Sequence, residues 1–399
     1  MSEYQYYEFL ALDKALTAKQ RAELRQLSSR AEITATRFVN VYNYGDFRGS
    51  PEKLMELYYD AFLYLTNWGS RRLMFRLPRD LLDAEVARRY CHTDVASVIE
   101  TSDHVIISLC LEREPGDDWL EGDGWLASMV QARSDLAAGD LRLLYLGWLL
   151  SIQWSDEGYE DDEDYEDDED DEDVLEPPVP AGLAELSPSL LAIAEFLEVD
   201  ENLIAAAAEA SPSQPEPARD GLADDGLADD GLADWIAALP ATEKDALLTM
   251  VAGGAGVRAQ ALLLRRFHDG DRGSTVRSGS SRTATELLMA ADDRAAEQEK
   301  AAELRRREEQ AREAAAYAAH LDQLAAAGEA PWEQIEAMIA TKKTGEYDQA
   351  VVLLRELRAL DERRGAEAAF AGRVRELRVR YRSRPGLQYR LDQAGMPGL

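Results

Sequence analysis

Residues 155–174 read SDEGYEDDEDYEDDEDDEDV, and from Asp156 to Asp173 they hold fifteen acidic side chains and no basic one. A block of like charge repels itself and cannot bury apolar surface, so no core can run through it. Folding must therefore happen on either side, and the charge distribution agrees. The net charge of the 399 residues is −33. Residues 151–234 carry 1 basic and 29 acidic side chains, residues 1–150 carry 17 and 23, and residues 235–399 carry 26 and 25. The flanks are close to neutral, and a hydrophobic content of 46% is enough to build cores there.

The first flank mixes two periodicities. EYQYYEFLAL and TRFVNVYNYGDF are aromatic-rich, RRLMFRLP alternates up to Pro78, and HVIISLCLE is an apolar run of strand length. All four read as strands. TAKQRAELRQLSSR reads as a helix capped by Thr17, and SPEKLMELYYDAFLYL as one capped by Ser50 with Pro51 in its first turn. DGWLASMVQARSDLAAG and LRLLYLGWLLSIQ read as two more helices. Strands interleaved with helices predict an α+β domain over residues 1–153 with one compact sheet. The pattern does not determine its strand order.

Residues 154–186 are expected to be a disordered acidic linker. Residues 187–267 read as a helical segment with start signals at Ser187–Pro188 and Asp200, broken by a linker at 211–234. That linker contains GLADDGLADDGLADW, with glycines at Gly221, Gly226 and Gly231. A period of five fits neither a solenoid nor a helix face. An array of calcium ligands would need a closing glutamate that the repeat lacks. Residues 268–282 read as a flexible linker. Residues 283–327 lack Gly and Pro and are rich in Ala, Glu and Arg. Unbroken, some 45 residues make a helix of about 67 Å. Its stripe is mostly alanine, thin for a coiled-coil seam. A solvated helix packed at its ends is expected, with a coiled-coil dimer as the alternative. Residues 328–399 read as short amphipathic helices stacked as a helical-repeat-like module. The expected fold is thus an α+β N-terminal domain followed by a mostly α-helical C-terminal part, joined by disordered acidic linkers.

The stretch KTGEYDQAVVLLRELRALDERRGAEAAFAGRVRELRVRYRSRPGLQYRLDQAGM resembles the helical tail of bacterial SWIM zinc-finger proteins. There a YDxAVxLLxxLR-like helix is followed by a helix ending before an RPxLxxRL-like segment. The resemblance covers about 60 residues and implies a helical module that packs on something else. The zinc site of that family, CxC followed by CxH, is absent. Cys91 and Cys110 stand apart and far from the tail, so neither zinc nor the finger's DNA-binding role follows.

The remaining motifs exclude more than they suggest. Cys91 and His92 adjoin in RYCHTD, but a catalytic cysteine needs a base brought from across the fold, such as His104 or His268. Two cysteines and four histidines leave little for a zinc site. AGGAGVRAQ lacks the Gly-Lys-Ser/Thr ending of a phosphate loop, and DGDRGS has Ser274 where a calcium loop needs Gly. No cofactor and no metal are expected. Trp68, Arg71 and Arg72 lie close together and are candidates for holding phosphate or a base. Arg373, Arg375, Arg378, Arg380, Arg382, Arg384 and Arg390 have one acid, Glu376, among them between residues 371 and 390. They are candidates for touching nucleic acid, for receiving the acidic run, or for forming a solvated face.

Three functions stay open. The leading one is a non-enzymatic interaction protein whose partner is a protein, with the acidic run as a solubilising electrostatic tether. The second is nucleic-acid association through the arginine-rich C-terminal helices. The third is an enzyme with its site in residues 1–153. The first residues lack a basic region followed by an apolar run, and the most apolar stretch, from Leu141, has 14 residues and includes Arg142. A membrane span needs about 20, so no membrane segment is expected and the cytoplasm is the expected location.

Overall fold

The computed structural model describes residues 3–112, 120–154, 174–213, 232–253, 256–271 and 282–398, with the side chains of residues 257 and 268–271 excepted. The acidic run, the glycines of the repeat and most of the 268–282 linker lie outside the described residues, and so do the expectations placed on them. Two compact units are present, Met1–Ala296 and Glu297–Leu399.

The first unit is built on β1 (Gln5–Leu10), α1 (Ala18–Leu27), β2 (Glu32–Ile33), β3 (Arg37–Tyr42), α2 (Pro51–Leu57), β4 (Ala61–Thr66), β5 (Arg71–Pro78), α3 (Ala84–Arg88), β6 (Ala96–Glu100) and β7 (His104–Leu111). The strands form one antiparallel sheet in the order β2-β3-β1-β4-β5-β7-β6. Thr17 caps α1 in a full capping box with Gln20, and Ser50 with Pro51 opens α2. The helix read over Ser50–Leu65 stops at Leu57, and AFLYLT becomes β4, paired with β1 and β5. A central strand buried on both faces is a continuous apolar run, which periodicity alone does not separate from helix. β2 and β6, not among the four expected strands, complete the sheet's two edges.

Both faces are covered. On one, Phe9, Phe38, Phe62, Met74 and Ile106 pack with Leu24 of α1 and Leu54 and Met55 of α2. Each such side chain stabilises the fold by roughly 1.5–3 kcal/mol. On the other face, Leu63, Leu65, Leu73, Phe75, Ile107 and Leu109 pack against α4 (Trp125–Ala137), α5 (Arg142–Trp154), α6 (Pro188–Phe196) and α7 (Glu201–Ala208). α5 comes very close: a Cβ at Gly147 would lie 2.8 Å from Leu109 Cδ2. Leu190, Ile193, Phe196 and Leu203 belong to the same core as the sheet, so the helices expected as a separate segment from residue 187 are part of the sheet domain. α8 (Leu232–Ala238), α9 (Ala241–Ala252) and α10 (Gly256–Asp271) follow, and Ala261 of α10 also joins that core.

The described residues that flank the acidic run belong to this unit. The run begins after Trp154 of α5 and ends at Val174, whose carbonyl accepts from Ala284 N at 2.8 Å. Leu175 bridges Thr283, and Glu176 N donates to Arg282 O at 3.0 Å. The Glu176 carboxylate, fully buried, accepts from Arg282 Nε at 2.9 Å and Nη2 at 2.7 Å, and from the Tyr145 hydroxyl of α5. The described residues on both sides of the run thus belong to one unit, and the run does not separate the two units.

α11 is a single helix, Ala284–Ala326. Leu287 and Ala291 bury in the first unit's core and Leu321 in the second's, while residues 297–313 are almost wholly exposed. The second unit adds α12 (Ala330–Ala340), α13 (Thr344–Arg364), α14 (Glu367–Arg380) and α15 (Pro385–Gln393). Ile335, Ile339, Leu354, Leu357, Phe370, Val374, Leu377, Leu387 and Leu391 form its core. The α+β part followed by a mostly helical part is therefore as expected.

Breaking a buried ion pair from one side leaves an uncompensated charge, costing about 3–5 kcal/mol. Glu176→Ala should lower the urea-unfolding stability of the first unit by that amount. Glu303→Ala, which removes an exposed pair with Arg307 on α11, should change it by less than about 0.5 kcal/mol.

Candidate interaction surface

The three residues singled out at the β4–β5 hairpin, Trp68, Arg71 and Arg72, do not form one site. Alternation along β5 sends Arg71 and Arg72 to opposite faces. Arg71 is buried, donates to Phe196 O at 2.7 Å, pairs with Glu198 at 2.6 Å and lies over the Phe196 ring at 5.9 Å. It fastens the turn between α6 and α7, where Glu198 has φ of 54°. Arg72 donates to Ser108 Oγ at 3.0 Å and pairs with Glu52 of α2 at 2.5 Å. Trp68 sits half-buried in the β4–β5 turn.

The C-terminal arginines are also mostly consumed. Arg378 is buried, paired with Asp392 at 2.8 Å and donating to Met396 O at 3.1 Å. Arg373 donates to Glu329 at 2.9 Å and lies 4.3 Å from the Trp332 ring centroid. Arg380 pairs with Glu336 and Arg390 with Asp348, while Arg384 donates to Ile339 O and lies over Tyr381. The acids come from α12 and the residue just before it, from α13 and from α15, outside the window in which only Glu376 was visible. The local excess is therefore largely cancelled in space. Arg375 and Arg382 are exposed and have no ion pair among the described residues. The seven arginines do not form one basic face.

Cys91 and His92 line an open cleft of about 360 Å³ with Arg88, Thr93, Asp94, Ser97 and Val98. Trp68 and Arg71 are not there. Cys91 itself is buried, and that burial pushes its thiol up to about 12, the reverse of nucleophile activation. His104 has its pKa lowered by burial and by Arg76. The His268 side chain lies outside the described residues. Elsewhere, buried charges are closed into structural networks. Asp60 accepts from Leu12 N at 2.7 Å, Asp13 N at 2.9 Å and Arg76 at 2.6 Å, and Arg133 grips Asp13 with two bonds of 3.0 and 2.6 Å. Among the described residues no cluster of His, Cys, Asp and Glu is arranged to hold a metal, and no helix is long and apolar enough to cross a membrane.

A surface that sequence reasoning missed lies on the sheet face covered by α1 and α2. Phe38, Phe9, Phe62, Met74 and Ser108 form one row across five strands, and helices seal it. The next row is Asn40, Tyr7, Tyr64, Arg72 and Cys110. There Tyr64, Arg72 and Cys110 are only half-buried, as is Tyr42 one row further on. Tyr7 lies 4.6 Å from Tyr64, 5.7 Å from Tyr42 and 5.2 Å from Phe47, centroid to centroid. Gln5 organises the group. Its Oε1 accepts from the hydroxyls of Tyr7 at 2.8 Å and Tyr64 at 3.3 Å, and its Nε2 donates to Asp46 Oδ1 at 3.1 Å. Burial first, and then the carboxylates of Asp46 and Glu112, raise the Tyr64 pKa against the opposing effect of Tyr7, so the ring is neutral near pH 7. The alternation Gln5, Tyr7, Phe9 was legible as a strand, but which rings the helices leave uncovered was not.

Two outcomes check these placements. Iodoacetamide at pH 8 should modify Cys91 only after denaturation, because a thiol near 12 is about 0.01% thiolate there; peptide mass spectrometry reads this. Arg378→Ala should lower the unfolding temperature of the C-terminal helices clearly, because the buried guanidinium's bonds to Asp392, Gln388 and the carbonyl of Met396 are lost together, whereas Arg375→Ala and Arg382→Ala should stay within about 0.5 kcal/mol of the parent.

Comparison of the chain with protein-family models, with curated proteins and with solved structures finds no match.

Proposed function

We propose that the chain is a non-enzymatic, cytoplasmic interaction protein that recognises another protein through the tyrosine face of its sheet domain. The observation that carries this reading is the half-open row of Tyr7, Tyr64 and Arg72 with Tyr42 beside it, held in place by Gln5. Tyrosine and arginine dominate protein-binding surfaces because they offer large contact area with few rotamers to lose. A rigid sheet presents them better than a loop does. The acidic run, whose described flanking residues belong to the same unit, adds long-range attraction for basic surfaces and repulsion between copies. The helical tail, which resembles that of SWIM zinc-finger proteins, is a second docking module in this reading.

A second reading rests on Arg375 and Arg382. Arg375 lies one turn before Val379, which is 56% exposed, on α14, and Arg382 follows just beyond the helix's end. A nucleic acid bound there would make a weak, strongly salt-dependent contact.

Photo-crosslinking tests the main reading. p-Benzoylphenylalanine placed at position 64 should give a discrete adduct with one protein in the cell that makes the chain. The same group at position 57, where Leu57 is 59% exposed on α2, should give none. No adduct at position 64, or the same adducts at both positions, sinks the reading.

A further inference from the structure

We propose that the tyrosine face docks an arginine- or lysine-rich segment of a partner protein. The inference rests on the interaction reading above and adds the chemistry of the partner. An aromatic face is electron-rich and attracts a cation placed within about 6 Å of its centroid. Here Tyr42 and Tyr64 stand on either side of Tyr7, at 5.7 and 4.6 Å. That spacing gives an extended basic chain two partly exposed rings on one sheet face.

The charges around the rings have the matching sign. Asp46 and Glu112 both act on the Tyr64 hydroxyl, and both are exposed. The only described bond to the Asp46 carboxylate is from Gln5 Nε2, at 3.1 Å. The one cation in the row, Arg72, is already bonded to Glu52 and Ser108. An incoming arginine therefore meets carboxylates and π faces, and an incoming phosphate meets repulsion. The protein makes such a contact in the same unit: Arg30 lies 5.3 Å from the ring centroid of Tyr44, which is 67% exposed, and donates to its hydroxyl at 3.3 Å. The net charge of −33 steers such a partner from a distance.

The acidic run would bind any basic peptide loosely, so the experiment must separate the run from the rings. Two full-length chains serve: the natural one, and one with every acid from Asp156 to Asp173 replaced by its amide. A fluorescein-labelled peptide of alternating Arg and Gly is titrated into each at ~0.15 M salt, where screening acts beyond about 8 Å, and anisotropy is read. The peptide should bind both chains. Tyr64→Leu, which keeps bulk but removes the π face, should weaken binding about tenfold in the amide background. Tyr42→Ala at the sheet's edge should weaken it severalfold, and provides the test if Tyr64→Leu loses its circular-dichroism signature. Asp46→Asn should weaken it about threefold. Affinity that is unchanged in the folded tyrosine variants, or that vanishes when the run alone is neutralised, overturns the proposal. So does tighter binding of a Glu-Gly peptide or of a single-stranded oligonucleotide. A crosslink at position 64 combined with tyrosine-independent peptide binding would leave the interaction reading standing and remove the basic partner.

Discussion

A sheet that is apolar on both faces has to be covered twice, and most of the first unit follows from that constraint. The central strands β1, β4, β5 and β7 alternate between two cores, with Phe9, Phe62 and Met74 on one side and Leu63, Leu73, Phe75 and Ile107 on the other. α1 and α2 are short, and they cover only the phenylalanine rows of their face. The other face needs a larger layer, which is why α4 through α7, and even the first turns of α11, are drawn onto it. The tyrosine rows are what the smaller layer leaves half-covered. The candidate surface is thus a product of unequal helix coverage on the two faces.

Charge in this chain is organised by pairing in space. Glu176 is the clearest case: a carboxylate at the end of a strongly acidic stretch is fully buried because Arg282 and Tyr145 satisfy its oxygens. That contact fastens the segment after the acidic run to the first unit. The same logic applies to the arginine-rich C-terminus. Arg373, Arg378, Arg380 and Arg390 each meet an acid from a neighbouring segment, and Arg378 is as buried as many core residues. A basic window in the primary sequence becomes a set of interhelical clasps once four helices pack.

The polar groups inside the first unit are correspondingly quiet. Asp60, Arg76, Arg133 and Asp13 form a closed network, and Cys91 lies under α5 where desolvation disfavours the thiolate. Burial holds the Cys91 thiol in the protonated form, the reverse of what a nucleophilic cysteine needs.

Much was determined by the sequence alone. Caps at Thr17, Ser50, Ser187 and Asp200 are local, because a side-chain oxygen reaches only a backbone N–H two or three residues on. The 43-residue α11 is local too, since nothing in 284–326 breaks a helix. The α+β character and the helical second part follow from period and composition. What only the tertiary structure decided has a common cause, namely contact between residues distant in sequence. β4 became a strand because β1 and β5 stand on either side of it. Helices 187–208 joined the sheet because Phe196 and Leu203 complete its core. Arg373, Arg378, Arg380 and Arg390 were paired by acids 14 to 44 residues away, and the open tyrosines were set by helices that end too soon to cover them.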